Sequence, residues 1–210
     1  MTLAEDGETM RIRYWKHSGF SIETDSFDIL IDYIGGGYVK GEKPVIALVS
    51  HAHGDHRKPD MISFADHVLD CPEVGREFDV MGVKIRTFGS TDEGVSFMLD
   101  VGGKKIFHAG DFNLWHWRDE KDPAWTMQAT ADFWQVMESL EGEMIDAAMF
   151  PVDPRMGDGY DEGACIFNDR MKPGIFIPMH FWEKPEAAED FAKKYKNVRA
   201  LTESGQHVEI

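Results

Sequence analysis

The sequence predicts an α/β domain with two sheets and outer helices, and three observations carry the prediction. Short apolar runs of strand length come in pairs and alternate with longer segments of helical spacing. Several runs are continuously apolar, as strands buried on both faces are. No composition break, repeat or low-complexity tract divides the 210 residues. Residues 1–210 therefore read as one domain, large enough to remove about 70% of its unfolded surface from water.

Taken in order, residues 10–23 and 27–32 read as strands joined by a turn around Asp25. Residues 45–50 follow Pro44 as an unbroken, mostly apolar strand. Residues 59–67 suit a short helix with Pro59 in its first turn. Strands are expected at 83–88, 94–101 and 104–108, the last two joined by a tight turn at the glycines of VGGKK. Asp122-Pro123 pairs a cap with a first-turn proline. Phe133, Val136, Met137 and Leu140 then repeat at helical spacing up to Gly142, a stripe that belongs to a core. Residues 145–151 and 174–179 read as two more buried strands. Pro185 opens a helix with Phe191, Ala192 and Tyr195 on one face, and VRALTE and QHVEI supply one or two closing strands.

The formal net charge of -16 repels phosphate backbones and anionic membranes, which argues against both as partners, short of a local positive site that overrides the global field, and favours a small-molecule substrate. The opening MTLAEDGETM is acidic and has no apolar core, so it does not read as a signal peptide. No apolar run approaches the ~20 residues a membrane span needs. Cys71 and Cys165 lack metal-type spacing and read as reduced thiols. These features together predict a cytoplasmic protein. Oligomeric state is not legible.

The chemistry gathers at strand ends. Residues 45–50 run into His51, His53, Asp55 and His56; 105–107 run into His108, Gly110 and Asp111; 175–179 run into His180. A fourth strand ends near Asp153 without a histidine. In α/β folds the rim beyond the strands' carboxyl ends is where sites are built. Imidazole and carboxylate are ligands for zinc, manganese or iron. Alternation puts His51 and His53 on one side of an extended chain, Gly54 permits a turn, and Asp55 and His56 can then face a second ion. Two ions ~3.5–4 Å apart can share a water whose pKa falls toward ~7. Three histidines and an aspartate in six positions would be costly to bury without a cation. His67 and His207 read as ordinary histidines.

The pattern His51-x-His53-x-Asp55-His56 resembles the signature of the metallo-β-lactamase superfamily, and the order of the remaining segments is similar over almost the whole chain. KHSGFSIETDSFDILIDY resembles the first hairpin of the branch that includes ascorbate-6-phosphate lactonase. The resemblance implies a four-layer αββα sandwich with a dinuclear site along one edge. It implies that His51 and His53 hold a first ion, that Asp55, His56 and His180 hold a second, and that Asp111 bridges. It makes Asp32 the buried support of the metal loop. One or two divalent ions per chain are expected, zinc first, with manganese or iron as alternatives.

One departure stands out. The superfamily's third histidine for the first ion is missing from FGSTDEGVSF, 88–97, where Ser90, Thr91, Asp92 and Glu93 stand instead. Either Asp92 or Glu93 supplies an oxygen ligand, which favours a harder ion, or the first ion is weak or absent. His17 and His116 are further donors within reach of recruitment. In NLWHW, 113–117, Asn113 and His116 are candidates to line the site, with Trp115 and Trp117 as walls or as loop packing. His116 is the candidate proton donor to a leaving group, and His108 the candidate to orient a ligand. Arg155 is the candidate clamp for a carboxylate or phosphate.

The expected function is hydrolysis of an ester, lactone or phosphodiester in a small polar or anionic metabolite, with metal-bound hydroxide attacking and Asp55 orienting it. The alternatives are a nuclease-type phosphodiesterase and a non-catalytic metal- or metabolite-binding protein with a degenerate first site.

Overall fold

In the computed structural model, which describes residues 10–210, the chain forms two six-stranded mixed sheets. The opening acidic stretch, read above against a signal peptide, falls on residues 1–9 and lies outside the described residues. The strands are β1 (Arg11–Lys16), β2 (Gly19–Glu23), β3 (Asp28–Ile31), β4 (Val45–Val49), β5 (His67–Asp70), β6 (Glu77–Val80), β7 (Val83–Phe88), β8 (Ser96–Val101), β9 (Lys104–His108), β10 (Ala147–Pro151), β11 (Ile175–Met179) and β12 (His207–Glu209). The helices are α1 (Pro59–Ile62), α2 (Pro123–Ser139), α3 (Glu162–Met171) and α4 (Pro185–Ala192). The first sheet runs β12-β1-β2-β3-β4-β5 and the second β11-β10-β9-β8-β7-β6.

Alternation along each strand decides what it packs against. Ile12, Ile29, Ile31, Ile46 and Leu48 of the first sheet share one buried core with Ile85, Phe97, Leu99 and Ile106 of the second. Leu30, Val45, Ala47 and Val49 belong to a separate cluster with Tyr33 and with Ile62 of α1. All five residues of β4 are buried, as its unbroken apolar run predicts. Beneath the second sheet Phe107 and Phe150 stack on Phe167 of α3 at centroid distances of 5.3 and 4.5 Å, and Phe176 meets Phe191 of α4 at 5.0 Å. The α2 stripe Phe133, Val136, Met137 and Leu140 is buried, and the Asp122 carboxylate caps that helix by accepting from Trp125 N. The layering is lopsided: α3 and α4 lie against the second sheet's phenylalanines, α2 stacks Phe133 on Phe112 in the loop after β9, and the first sheet has the single turn of α1.

Several boundaries differ from expectation. Residues 10–23 are two strands, split where His17 adopts φ 57. The helix expected over 59–67 ends at Ile62, and His67 opens the exposed edge strand β5. VRALTE makes only an isolated bridge, Phe176 to Val198.

The fold's contribution to function lies in strand direction. β3 and β4 are parallel, as are β9, β10 and β11. Their carboxyl ends carry Asp32, His51, Asp111, Asp153 and His180 in the residues that follow.

Candidate metal centre

The loop after β4 is built around one buried carboxylate. Asp32 Oδ1 accepts from Ser50 N at 2.7 Å; Oδ2 accepts from Ser50 Oγ at 2.7 Å and from His56 Nδ1 at 2.8 Å. Because Ser50 Oγ gives its proton to Asp32, it accepts from His51 Nδ1, 2.9 Å away. Both rings are thereby fixed as Nδ1–H tautomers with Nε2 directed elsewhere. His180 is set the same way, its Nδ1 2.9 Å from Asp153 Oδ2.

The freed atoms converge. His56 Nε2 lies 3.0 Å from Asp111 Oδ1, His180 Nε2 lies 3.4 Å from the same oxygen, and His51 Nε2 lies 3.4 Å from Asp111 Oδ2. His53 Nδ1 lies 3.1 Å from His51 Nε2, and its outer nitrogen is 2.9 Å from Glu93 Oε2. His56 Nε2, Asp111 Oδ1, His180 Nε2 and His17 Nε2 are all buried without a hydrogen-bond partner among the described residues. Such orphaned, mutually facing acceptors are costly unless a cation or proton sits among them. In a tetrahedral zinc site, bonds of ~2.0–2.1 Å place ligand atoms about 3.3 Å apart, which matches these separations. The residues therefore fit a divalent metal. Three groups have all their ligand atoms within 4.8 Å of one another: His17, Asp55, His56 and His180; His51, His56 and Asp111; and His53, Asp92 and Asp111.

All six residues expected to bind metal are thus brought together, with Asp111 shared between groups. In the 90–93 segment it is Asp92 that joins His53 and Asp111, whereas Glu93 meets the outer nitrogen of His53. His17 gathers with Asp55, His56 and His180, the second-ion residues, and not with the first-ion residues for which it was considered.

Electrostatics follow the geometry. Burial works against charge on His56, but Asp111 and Asp32 outweigh it and push its pKa up to about 10. Burial likewise opposes ionisation of Asp111, yet the His51 and His56 rings hold it well below the usual carboxylate range. Burial lowers His17 to about 4, leaving its ring neutral at physiological pH. The His17 ring in turn holds Asp55 below the usual range. Asp153 falls to about 2, because His180 and Arg155 overcome its burial.

Two glycines let the loops close on the centre. A Cβ on Gly94, φ +73, would fall on Ser50 O and His51 Cβ; one on Gly110, φ +55, would lie 2.6 Å from Val95 O. His108 braces backbone and does not touch a ligand ring. Its Nε2 donates to Ser18 O at 2.8 Å and its Nδ1 accepts from Gly110 N at 3.1 Å, so it fixes the turns beside His17 and Asp111.

A pocket of about 280 Å³ opens over the centre, lined by His53, Asp55, Asp92, Trp115, Trp117 and Arg155 among others. Trp115 and Trp117 stack at 6.1 Å, and Trp115 Nε1 donates to Asp111 O at 2.8 Å, so they are both wall and packing. Two expectations need correction. His116 is fully buried, its Nε2 3.1 Å from Gly159 O and its Nδ1 accepting from Arg118 N, so it braces two loops and has no proton to deliver to the pocket. Asn113 is also fully buried, packed where a Gly163 side chain would strike its Oδ1, and reaches no substrate. Arg155 does line the pocket, but Asp153 occupies its Nε and Nη2 at 3.0 and 2.5 Å. That leaves the Nη1/Nη2 edge for a ligand, and the guanidinium lies over Trp182, 4.3 Å from the ring centroid. Asp153 itself, the hydrogen-bond partner of His180, was visible in sequence only as a strand-end aspartate.

Comparison with known proteins bears on the family and the fold. Residues 11–124 match the family described as "Beta-lactamase superfamily domain". A protein named UPF0173 metal-dependent hydrolase from Symbiobacterium thermophilum is 29% identical over 226 residues, covering 90% of this chain and 92% of its own. One of the same name from Heliobacterium modesticaldum is 24% identical, covering 95% and 94%. The solved structure of Igni18, a metallo hydrolase from Ignicoccus hospitalis, superposes with TM-score 0.68 at 19% identity over 96% of this chain and 98% of that one. The metallo-β-lactamase fold protein YhfI from Bacillus subtilis superposes with TM-score 0.66 at 12% identity over 97% and 100%.

Proposed function

This chain belongs to the metallo-β-lactamase superfamily, and we propose that it acts as a metal-dependent hydrolase cleaving an ester, lactone or phosphodiester bond in a small polar or anionic metabolite. The observation that carries the reading is the convergence of unpartnered imidazole nitrogens and Asp111 on one centre at the floor of a pocket. His51, His53 and Asp92 would hold one ion, Asp55, His56 and His180 the other, with Asp111 between. A divalent ion held here, zinc first and manganese or iron as alternatives, supplies Lewis acidity and brings the pKa of a coordinated water toward ~7.

The chain's own residues do the rest. Asp55, kept ionised beside His17, accepts a hydrogen bond from the attacking water and orients it. Trp115, Trp117 and Trp125 exclude solvent from one wall. Arg155 adds a positive charge at the rim that favours an anionic group. A volume near 280 Å³ sits at the small end of ligand pockets, which favours a metabolite. A sugar-acid lactone or a phosphorylated small molecule fits both features. A polynucleotide is disfavoured by the net charge of -16.

One feature favours a second reading, a metal-binding protein without catalysis: the 90–93 segment offers carboxylates where a histidine is usual. The metal-loaded protein should be screened against lactones, aryl esters and phosphodiesters. Turnover that is lost on chelation and restored by metal is expected. Bound metal with no turnover across the panel would overturn the hydrolase reading in favour of the second.

A further inference from the structure

We propose that His17, in the turn between β1 and β2, is a further protein ligand to the second ion, giving it three imidazoles and Asp55 beside the shared Asp111. The inference rests on the metal-centre reading above and adds a residue that the strand-end pattern of histidines and aspartates does not contain.

His17 is 6% exposed, and its Nε2 is among the buried atoms with no hydrogen-bond partner among the described residues. That nitrogen lies 3.4 Å from Asp55 Oδ2, off the line a hydrogen bond requires. Ligand atoms of His17, Asp55, His56 and His180 are all within 4.8 Å of one another. The His17 ring centroid is 4.1 Å from that of His180 and 5.4 Å from that of His56. Four donors, three of them nitrogen, arranged about one point make the coordination sphere that zinc prefers.

The backbone is built to keep the ring there. His17 sits at φ 57 and His180 at φ 63, and His180 N donates to His17 O at 3.3 Å, so the two ligand-bearing turns are tied to each other. Tyr14 Oη accepts from His17 N at 2.9 Å, and His108 holds the adjoining Ser18 carbonyl. Trp182 meets the ring edge-on, the centroids 4.6 Å apart. Turns at positive φ normally go to glycine or asparagine; here a bulky ring occupies one and points inward.

The two ion positions then differ in kind. The second has three nitrogens and Asp55, whereas the first has His51 and His53 with Asp92; Asp111 faces both, its Oδ1 toward His56 and His180 and its Oδ2 toward His51. The nitrogen-rich site retains zinc, and the oxygen-rich one takes a harder, more exchangeable ion.

The test loads metal-free protein with one equivalent of zinc and counts coordinated imidazoles by X-ray absorption spectroscopy. Three are expected in the natural protein and two in His17→Asn, a substitution that tolerates positive φ. Zinc affinity, read by competition with a chromophoric chelator, should fall more than ~100-fold, beyond the ~10–100-fold cost of losing a hydrogen bond behind a ligand. His67→Gln, on the exposed edge strand, should change neither quantity. Two imidazoles in the natural protein, or an unchanged count in His17→Asn, would overturn the proposal. A natural protein that takes up no zinc would overturn the metal-centre reading along with it. Turnover plays no part in the measurement, so the hydrolase reading stands or falls separately.

Discussion

Asp32 touches no pocket and yet governs two ligands, through Ser50 to His51 and directly to His56. Asp32→Asn should therefore cost about 10–100-fold in metal affinity, read by chelator competition, while the pocket walls stay in place. The proton on His56 gives a second expectation. Its pKa in the metal-free fold, about 10, is above the ordinary imidazole value, so its stabilising contribution is complete below that ordinary value and is lost as pH rises through about 10. Thermal unfolding of chelated protein should show a falling midpoint between pH 7 and 10. The zinc-loaded protein, in which metal replaces that proton, should show a flatter profile. At this scale the metal loop was legible because density in sequence forces density in space: four donors in six positions leave little freedom. His17 was harder to see, since a lone histidine in a hairpin turn gives no sign of which way its ring points. His116 and Asn113 failed for the same reason. Being near Asp111 in sequence put them beside the site, but their side chains turn to backbone and to α3.

The elements carry the ligands by ending at the right edge. β4 leads into the Ser50–His51 corner, and the 89–95 loop passes so close that only glycine fits at 94. Gly94→Ala should displace His51, lowering both metal content and stability, the latter by roughly 2 kcal/mol or more from combined clash and positive φ; elemental analysis and denaturant unfolding would read the two effects. The continuous apolar strands β4, β10 and β11 and the amphipathic α2 were legible because burial on both faces, or along one stripe, leaves a periodic trace. β5 and β6 left none, being short edge strands with mostly exposed side chains. α3 escaped because its buried face is Gly163, Ala164, Phe167 and Asn168, of which only one is a large apolar residue.

Across the whole molecule, the centre straddles the seam between the sheets. His17, His51, His53, Asp55 and His56 follow strands of the first, and Asp111 and His180 follow strands of the second. An ion there ties together halves that otherwise meet through apolar packing and a few hydrogen bonds, His180 N to His17 O and His108 Nε2 to Ser18 O among them. Zinc at about 1,000 times its dissociation constant adds ~4 kcal/mol, which for a chain of this size corresponds to a midpoint raised by roughly 10 °C; differential scanning calorimetry with and without chelator would measure it. The indole of Trp182 lies 4.6 Å from the His17 ring and 5.9 Å from that of His180, and Trp115 lies 5.6 Å from His180. Those distances make the protein its own optical gauge. Cobalt entering the centre should darken the ultraviolet emission of these two chromophores by contact-range quenching, so occupancy can be followed by eye of the fluorimeter with no label attached.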